Sequence, residues 1–373
     1  MTVEIKEVKT LSDRKSFVNV QFEIYKNNRF WVPPLKKAEV HSIDPSFNPA
    51  FEFTEAKFWL AFKNGKCMGR IGAIINPSYN EKTGEKKGRF TRLEFFDERE
   101  VFEALITTAE NWVREKGMKA IHGPLGFSNL DLQGLLVEGF EHLPSIGSVY
   151  HQPYYYQYLE DFGYEKENDW IEFRLFPLTE IPEKVLKINE VVKQRYGFHI
   201  LHFKSSKELK PYGEMVFKVL NEAFSELPYV IPLNDKMIRY YTEKYFNLLN
   251  PKLVKIILNK DNEVVGFILG FPSLSEAMQK AKGRLYPFGF LHIMRQMKHP
   301  KVVDLMLTGI KNEQQGQGVA ALLMTELQKE INKLGVEAVE TTGIFETNIK
   351  AIQNWKNYDH IQHKRKRCYV KTL

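Results

Sequence analysis

The chain has 373 residues, of which 43% are hydrophobic and 27% charged, with a formal net charge of +7 at pH 7. This composition is ordinary for a globular protein, and the length allows two domains with cores of their own. No run approaches the roughly 18 apolar residues of a membrane span, and the charged stretch MTVEIKEVKT lacks the apolar core of a secretory signal.

The two cysteines, Cys67 and Cys368, lie far apart in the sequence. We therefore expect neither a disulfide framework nor a cysteine-rich metal site, and a reducing, cytoplasmic location fits this composition. Both side chains are predicted to be buried or half-buried thiols. The mildly basic charge suits an acidic ligand or a nucleic acid, but it identifies neither.

The first half of the chain predicts a hairpin followed by alternating strands and helices. The stretch FWLAFKNGKCMGRIGAIIN (58–76) is read as two strands joined by a tight Asn64-Gly65 turn. The elements predicted after it are a strand at 89–96, a helix at 100–116, a strand at 119–125 and a helix at 154–162.

The second half repeats this order. Its hairpin is LVKIILNKDNEVVGFILGF (253–271), and the elements after it are a strand at 301–309, a helix at 319–334, a strand at 337–345 and a short helix at 348–358. A spacing near 200 residues between similar elements indicates duplicated domains. We predict a domain at 1–180 and a second at 181–373, joined within the proline-containing stretch 175–197.

A long insertion, residues 272–300, separates the second hairpin from its next strand. It exceeds what a turn needs and contains an amphipathic helix, a Pro-Phe-Gly kink and two methionines, Met294 and Met297. One interpretation is an apolar cover for an acyl chain or an acceptor. The other is a helix packed between the domains.

Two glycines, Gly316 and Gly318, stand between the strand VVDLMLTGI and the helix 319–334. At the start of a helix several backbone N–H groups lack partners, and the helix dipole adds partial positive charge. Because glycine removes the Cβ that would keep a phosphate away, a pyrophosphate is one ligand for this turn; a plain connection is the alternative. No P-loop is present, and Ala321 stands where GxGxxG needs a third glycine.

The stretch EQQGQGVAALLM (313–324) resembles the acyl-CoA loop of the GNAT superfamily of N-acyltransferases, R/Q-x-x-G-x-G/A. Gly316 and Gly318 match this pattern, whereas Glu313 stands where the family has arginine or glutamine. The order of hairpin, strand, glycine turn, helix, strand and short helix also agrees, and the resemblance covers roughly residues 199–373.

A second motif lies near the end of the chain. The stretch FETNIKAIQNWKNYDH (345–360) resembles the last helix of the family, with Asn348 in place and Trp355 where a tyrosine is frequent. The first half resembles the same fold less specifically, and the stretches 25–35 and 123–144 look like those of bacterial tandem-GNAT proteins.

This resemblance implies an α/β fold of two GNAT-like acyltransferase domains in tandem, each a mixed, mostly antiparallel sheet flanked by helices. It also implies acetyl-CoA or a longer acyl-CoA as co-substrate, and no metal. The residues that it assigns to the co-substrate are Leu307, Thr308, Gly309 and Ile310 near the thioester carbonyl, Gln315, Gly316, Gln317, Gly318 and Val319 around the pyrophosphate, and Asn348 and Trp355 on the last helix.

Transfer to an amine needs a base for the amine and an acid for the leaving thiolate. Tyr358 is the hydroxyl nearest to the place where the family has its acid, and packing is the alternative role. Asp304 and Glu340 lie on the two central strands and are candidate bases, with surface or ion-paired roles as alternatives. No His, Cys, Asp and Glu set in the sequence has convincing metal spacing.

The corresponding turn of the first half, EFFDEREVFEALI, has no glycine and is acidic at Asp97, Glu98 and Glu100. Carboxylates there would repel a pyrophosphate. The first domain is therefore predicted to be degenerate for CoA binding and to help shape the acceptor cleft.

The main prediction is an enzyme, an acyl-CoA-dependent N-acyltransferase that moves an acyl group to a small-molecule or peptide amine by direct attack. A Fem-like aminoacyl or peptidyl transferase is one alternative, and a non-catalytic module that binds CoA or a protein partner is another. The intact glycine turn argues against the Fem-like chemistry and a nucleic-acid partner. The basic stretch HKRKR (363–367) is read as a terminal edge strand with solvated charges, or as a phosphate-binding face. A homodimer through that edge stays open.

Overall fold

The computed structural model describes residues 2–355 and 358–373, except for the side chain of Asn247. The chain divides into two compact units. The first comprises the residues up to Ile171 together with Ser275–Ile293 and His363–Leu373, and the second comprises Glu172–Leu274 and Met294–Gln362. The predicted domain boundary at 180/181 stays a prediction.

The first half of the chain alternates strands and helices as predicted. In chain order they are β1 (Glu4–Glu7), α1 (Leu11–Ile24), α2 (Lys36–Ser42), β2 (Glu55–Lys63), β3 (Lys66–Ile75), α3 (Pro77–Thr83), β4 (Lys87–Phe95), α4 (Arg99–Glu115), β5 (Ala120–Gly123), β6 (Leu135–Glu138), α5 (Tyr154–Asp161) and β7 (Glu165–Phe176).

The second half follows the same alternation. Its elements are α6 (Glu183–Tyr196), β8 (His199–Leu201), α7 (Ser206–Leu209), α8 (Gly213–Ala223), α9 (Asp235–Tyr245), β9 (Val254–Leu258), β10 (Val264–Pro272), α10 (Ser275–Ala281), α11 (Gly289–Lys298), β11 (Val302–Ile310), α12 (Val319–Leu334), β12 (Ala338–Thr341), β13 (Ile344–Phe345), α13 (Ile349–Gln353) and β14 (Asp359–Thr372).

The strands of the first unit follow the order β1-β2-β3-β4-β5-β14. Neighbours are antiparallel except β4 and β5, which pair in parallel from Lys87 and Ala120 onward. Helix α4 buries an apolar face, including Phe102, Leu105 and Val113, in the core over this sheet. The alternation of apolar and polar residues along the strands and the helical spacing of α4 explain why these segments form these elements.

The second unit repeats this arrangement in the order β8-β9-β10-β11-β12, followed by the end of β7. Again one pair is parallel, β11 with β12, and the others are antiparallel. The parallel pairing ends at Leu305 and Thr341, whereas β11 continues to Ile310. The last five residues of β11, just before the glycine turn, therefore do not pair with β12.

The terminal strand differs from the prediction of an edge with solvated charges. Strand β14 lies between β5 and β7 and also pairs with β6, so it is interior and cannot offer a free edge to a second subunit. Lys364 is 1% exposed and donates a hydrogen bond to the carbonyl of Leu143 at 2.8 Å. Arg367 contacts the buried carboxylate of Asp169 at 2.9 Å. Partners within the chain therefore bind several of the cationic side chains of β14.

Candidate functional site

The glycine turn adopts the conformation that its sequence suggests. Gly316 has φ +79° and Gly318 has φ +84°, values that residues with a Cβ rarely adopt. A Cβ at Gly316 would meet no atom within 4 Å, so the backbone there faces open space. Gly318 is the N-cap of α12, and a Cβ on it would approach the Val192 side chain of α6 at 3.0 Å. The two glycines thus have different roles: one faces open space and the other permits packing.

The start of α12 presents backbone donors. Its first internal hydrogen bond runs from the amide of Leu322 to the carbonyl of Gly318 at 3.0 Å, so the amides of Val319 to Ala321 have no partner within the helix. No acidic residue stands in the first turn. The amides of Gln315 and Gln317 bond back to Asn312 and Gln314 at 3.3 Å, lengths near the limit for such bonds. An anion at this turn would therefore find uncompensated donors and the positive end of a helix.

The helix matches its predicted limits. It spans Val319–Leu334, and Gly335, with φ +66°, ends it in the left-handed conformation. Its first turn packs closely on the sheet because Gly266 of β10 lacks a side chain. A Cβ at Gly266 would lie 2.7 Å from Cγ1 of Val319.

Strand β11 carries the four residues predicted near the thioester carbonyl, Leu307, Thr308, Gly309 and Ile310. They form the part of the strand that continues beyond its pairing with β12. The register with β10 shifts between Leu269 and Gly270, which leaves Met306 of β11 unmatched as a bulge. Bulges re-aim neighbouring backbone groups and are frequent beside functional sites. The end of β11 that extends beyond β12 is therefore followed, a few residues later in the chain, by the glycine turn.

The two carboxylates predicted as bases lie side by side. Asp304 and Glu340 are paired residues of β11 and β12, so their side chains point to the same face. Asp304 is fully buried and Glu340 is 5% exposed. Arg174 of β7, across from Glu340, binds its carboxylate with Nε at 2.6 Å. The ion-paired alternative is thus realised at Glu340, and Arg174 is a partner that sequence reasoning missed.

Tyr358 lies just before β14 and not on a helix, because α13 ends at Gln353. With the middle of α12 and neighbouring strand ends it lines a small apolar cavity, together with Leu175, Pro177, Leu305, Met324, Leu327, Gln328, Ile331 and Val339. Burial raises the pKa of its hydroxyl above 10.0. Leu327 is nine residues beyond Gly318 along α12, so this cavity wall lies roughly 12–14 Å from the glycine turn.

The two residues predicted on the last helix have different surroundings. Asn348 is the N-cap of α13, and its side-chain oxygen accepts a hydrogen bond from the amide of Ala351 at 3.2 Å. Trp355 is 6% exposed, and its indole N–H has no acceptor among the described residues. A buried donor without an acceptor costs free energy, which a ligand with a carbonyl group could recover. The sequence showed only that Trp355 replaces a frequent tyrosine.

The corresponding turn of the first unit carries acidic side chains that are bound by neighbouring residues. Lys63 binds Glu98 at 2.6 Å and also contacts Glu100, at the start of α4. Asp97 accepts a hydrogen bond from the hydroxyl of Tyr158 at 2.8 Å. Carboxylates therefore occupy the helix start that in the second unit is bare backbone.

Residues 215–358 match the model of the acetyltransferase (GNAT) family. The second half of the chain contains a GNAT domain. The match confirms the sequence-based prediction of a GNAT acyltransferase domain and, with it, of an enzyme of the N-acyltransferase type. Acyl-CoA is the co-substrate that this fold implies. Among the described residues, no helix is both long and apolar enough to cross a membrane.

Solved structures show that the whole chain has a tandem GNAT fold. A tandem GNAT protein from the clavulanic acid biosynthesis pathway superimposes with a TM-score of 0.58 at 12% identity, over 99% of this chain and 98% of that one. A GCN5-related N-acetyltransferase from Sphaerobacter thermophilus gives 0.55 at 12% identity, over 99% and 95% of the two chains. The predicted fold class is confirmed.

Two bacterial proteins resemble the chain over nearly its full length. Protein YghO of Escherichia coli (strain K12) is 25% identical over 97% of this chain and 93% of its own length. A protein of Caulobacter vibrioides (strain NA1000 / CB15N) called bacterial ceramide synthase is 25% identical over 98% of this chain and 96% of its own length.

The first unit has a buried polar cluster outside the GNAT domain. Glu94 of β4 is 6% exposed and accepts hydrogen bonds from the hydroxyls of Tyr25 and of Tyr155, the latter at 3.0 Å. Arg70 lies 4.0 Å away. Burial raises the pKa of the Glu94 carboxyl to about 7, although Arg70 and the two hydroxyls oppose this change. Sequence reasoning did not identify this cluster because its members come from distant segments.

A second group joins His122, Glu167 and Cys368, whose candidate ligand atoms lie within 4.8 Å of one another. Nδ1 of His122 is 3.0 Å from Glu167, whose other carboxylate oxygen binds Lys87 at 2.8 Å. The lysine charge beside Glu167 opposes binding of a cation there. As predicted, Cys368 is a buried thiol and Cys67 a half-buried one; burial raises the pKa of Cys67 to about 11.

Proposed function

We propose that the protein is an acyl-CoA-dependent N-acyltransferase whose second unit binds the donor at the glycine turn. The observation that carries the proposal is the turn itself: open space at Gly316 and unpartnered amides at the start of α12. These groups suit a pyrophosphate, which needs close approach to backbone donors and partial positive charge. The buried indole N–H of Trp355 supports the same co-substrate, since a pantetheine carbonyl is an acceptor of the right kind.

In the proposed reaction the amine attacks the thioester carbonyl, the acyl–sulfur bond breaks and the CoA thiolate leaves. Backbone donors in the stretch 307–310 of β11 would stabilise the oxyanion. Asp304 or Glu340 would accept the amine proton, with Arg174 holding Glu340 in place. Tyr358 would protonate the thiolate. Its raised pKa keeps it protonated at neutral pH. It lines the same cavity as Leu327, which lies roughly 12–14 Å along α12 from the glycine turn.

We infer that the first unit does not bind CoA. Glu98 and Glu100 stand at the start of α4 and share Lys63, so a pyrophosphate would meet two carboxylates and no bare glycine backbone. As in the sequence-based prediction, the first unit would help to bind the acceptor.

For the acceptor we propose a long-chain amino alcohol. The support is the Caulobacter protein that is called a bacterial ceramide synthase and resembles this chain over 98% of its length. A ceramide is the amide of a fatty acid with such a base, so its synthesis is an N-acylation. The matching donor is a long-chain acyl-CoA in place of acetyl-CoA.

Calorimetric titration of the full chain with acetyl-CoA and with palmitoyl-CoA below its micellar concentration tests the donor site. Gly316→Glu puts bulk and negative charge where the pyrophosphate should lie, and it should abolish binding. Gly335→Glu is the matched control, because Gly335 also has a positive φ and no atom within 4 Å of a Cβ, but lies at the opposite end of α12. Equal loss of affinity in both variants, or no binding by the wild type, would refute the proposed pyrophosphate site at the glycine turn.

Release of free CoA thiol in the presence of sphinganine, with the amide identified by mass spectrometry, tests the acceptor. Amide formation with sphinganine and not with a panel of polar amines would support the proposal. CoA binding without turnover on any amine would favour a non-catalytic module. Salt-dependent RNA binding without CoA binding would favour the Fem-like alternative.

A further inference from the structure

The insertion exposes a ridge of apolar side chains. Residues Ser275–Ile293 belong to the first unit, and the turn between α10 and α11, together with the start of α11, carries large exposed apolar residues. We call the set formed by Leu285, Tyr286, Phe288 and Leu291 the apolar ridge. Tyr286 is 76% exposed and Phe288 67% exposed. Such a concentration of exposed aromatic area marks an interaction site more often than a chance surface.

The ridge is held in a fixed shape. The carbonyl of Gly283 accepts a hydrogen bond from the amide of Lys36 at 3.0 Å, and a Cβ at Gly283 would lie 2.6 Å from the ring of Phe22. The amide of Phe290 donates to the carbonyl of Leu285 at 2.7 Å. A Cβ at Gly289 would lie 2.0 Å from the carbonyl oxygen of Arg284. These contacts hold the backbone of the turn, and the apolar side chains of the ridge are exposed on it.

The surroundings of the ridge are basic. The insertion 272–300 contains five lysines and arginines against a single glutamate. Lys282 and Arg284, next to the ridge, are both exposed. Burial lowers the pKa of Lys36. The charge of nearby Arg284 lowers it further, whereas Glu23 raises it. Positive charge next to exposed aromatic and aliphatic side chains is the pattern of segments that lie in the headgroup region of a membrane.

We propose that the apolar ridge docks the protein on the surface of an anionic lipid bilayer. The four side chains expose on the order of 400–500 Å², which is less than the ~800 Å² per partner of a stable protein interface. A bilayer needs no such area, because a few inserted side chains act together with the attraction of cations to anionic headgroups. This inference does not depend on the proposed reaction, although a membrane location would suit a lipid acceptor.

Flotation of the purified full chain with vesicles tests the proposal. One set of vesicles contains phosphatidylcholine alone, and the other contains phosphatidylcholine with phosphatidylglycerol. We expect the wild type to float with the anionic vesicles and to dissociate as salt is added. The double variant Tyr286→Ser/Phe288→Ser should bind at least about tenfold more weakly, since each aromatic side chain loses its transfer from water. Lys282→Glu/Arg284→Glu should lose the preference for anionic vesicles.

The matched control is Leu11→Ser/Leu132→Ser, which removes apolar side chains that are 53% and 52% exposed elsewhere in the first unit. It should float like the wild type, and circular dichroism should show that every variant is folded. Equal flotation of the wild type and both ridge variants, or no flotation of the wild type, overturns the proposal. So does a wild-type dimer that Tyr286→Ser/Phe288→Ser converts to a monomer, because the ridge would then be an interface between two copies.

Discussion

The contact between Gly266 and Val319 offers a direct test of how the sheet positions the glycine turn. Gly266→Ala would place a Cβ 2.7 Å from Cγ1 of Val319, while its next neighbours, the Gly309 carbonyl oxygen and Cγ1 of Ile310, lie at 3.4 and 3.5 Å. Val319 is 1% exposed and opens α12. Because a β-branched side chain in a helix has one strongly preferred rotamer, the helix start itself must move.

The required displacement is about 0.7 Å if an ordinary contact begins near 3.4 Å. Overpacking of this kind costs about 1–3 kcal/mol. A cost of about 2 kcal/mol lowers the melting temperature by ~4–8 °C for a unit of this size. Since the first amides of α12 move with Val319, we also expect the affinity for acyl-CoA to fall.

A double-mutant cycle isolates this contact. Val319→Ala removes two buried carbons and should cost roughly 1.5–2 kcal/mol by itself. In Gly266→Ala/Val319→Ala the new methyl group occupies space that the valine has left, so the double variant should be more stable than the sum of the single effects by about 1–2 kcal/mol. Urea unfolding followed by tryptophan fluorescence measures all four proteins. Additive effects within ~0.5 kcal/mol would show that the two residues do not oppose each other and would refute this account of the packing.

The remaining predictions concern two titratable groups. Glu94 has a folded-state pKa of about 7, above its ordinary 4.5, because of burial; its contribution to stability is therefore present below about pH 4.5 and is lost as the pH rises through 7. At pH 8, Glu94→Gln should increase the free energy of unfolding by roughly 1–3 kcal/mol and so raise the melting temperature; at pH 5 it should change both little. An equal effect at both pH values would exclude titration of Glu94 as the cause. Tyr358→Phe should lower kcat by roughly 10²–10⁴ with unchanged CoA affinity if the hydroxyl protonates the thiolate, and activity within about threefold of wild type would leave Tyr358 a packing role.

The two units show how one arrangement of strands accommodates different helix starts. In the second unit the strand-to-helix connection contains Gly316 and Gly318 and leaves backbone donors exposed. In the first unit Glu98 and Glu100 stand there with Lys63. The difference lies in a few turn residues, and the sheet order around them is the same.

Several local elements of both units could be predicted from the sequence alone. The helix Val319–Leu334 has its predicted limits because apolar spacing and a terminal glycine are local signals. The hairpin at 58–76 forms for the same reason, since Asn64 and Gly65 adopt the positive φ values that a tight turn requires. The turn at Gly316 and Gly318 could be located because glycine readily adopts the positive φ with which the chain leaves a strand and enters a helix there.

Tertiary structure decided what local signals cannot carry. Arg174 reaches Glu340 across 166 residues of sequence, and Tyr25 reaches Glu94 across 69. The basic end of the chain became an interior strand because pairing with β5, β6 and β7 satisfies its backbone and the carboxylate of Asp169 binds its arginines. Turn chemistry and helical spacing act over a few residues, so the sequence by itself determined these elements and the glycine turn. Strand order and the pairing of buried charges depend on contacts that exist only once the whole chain has folded.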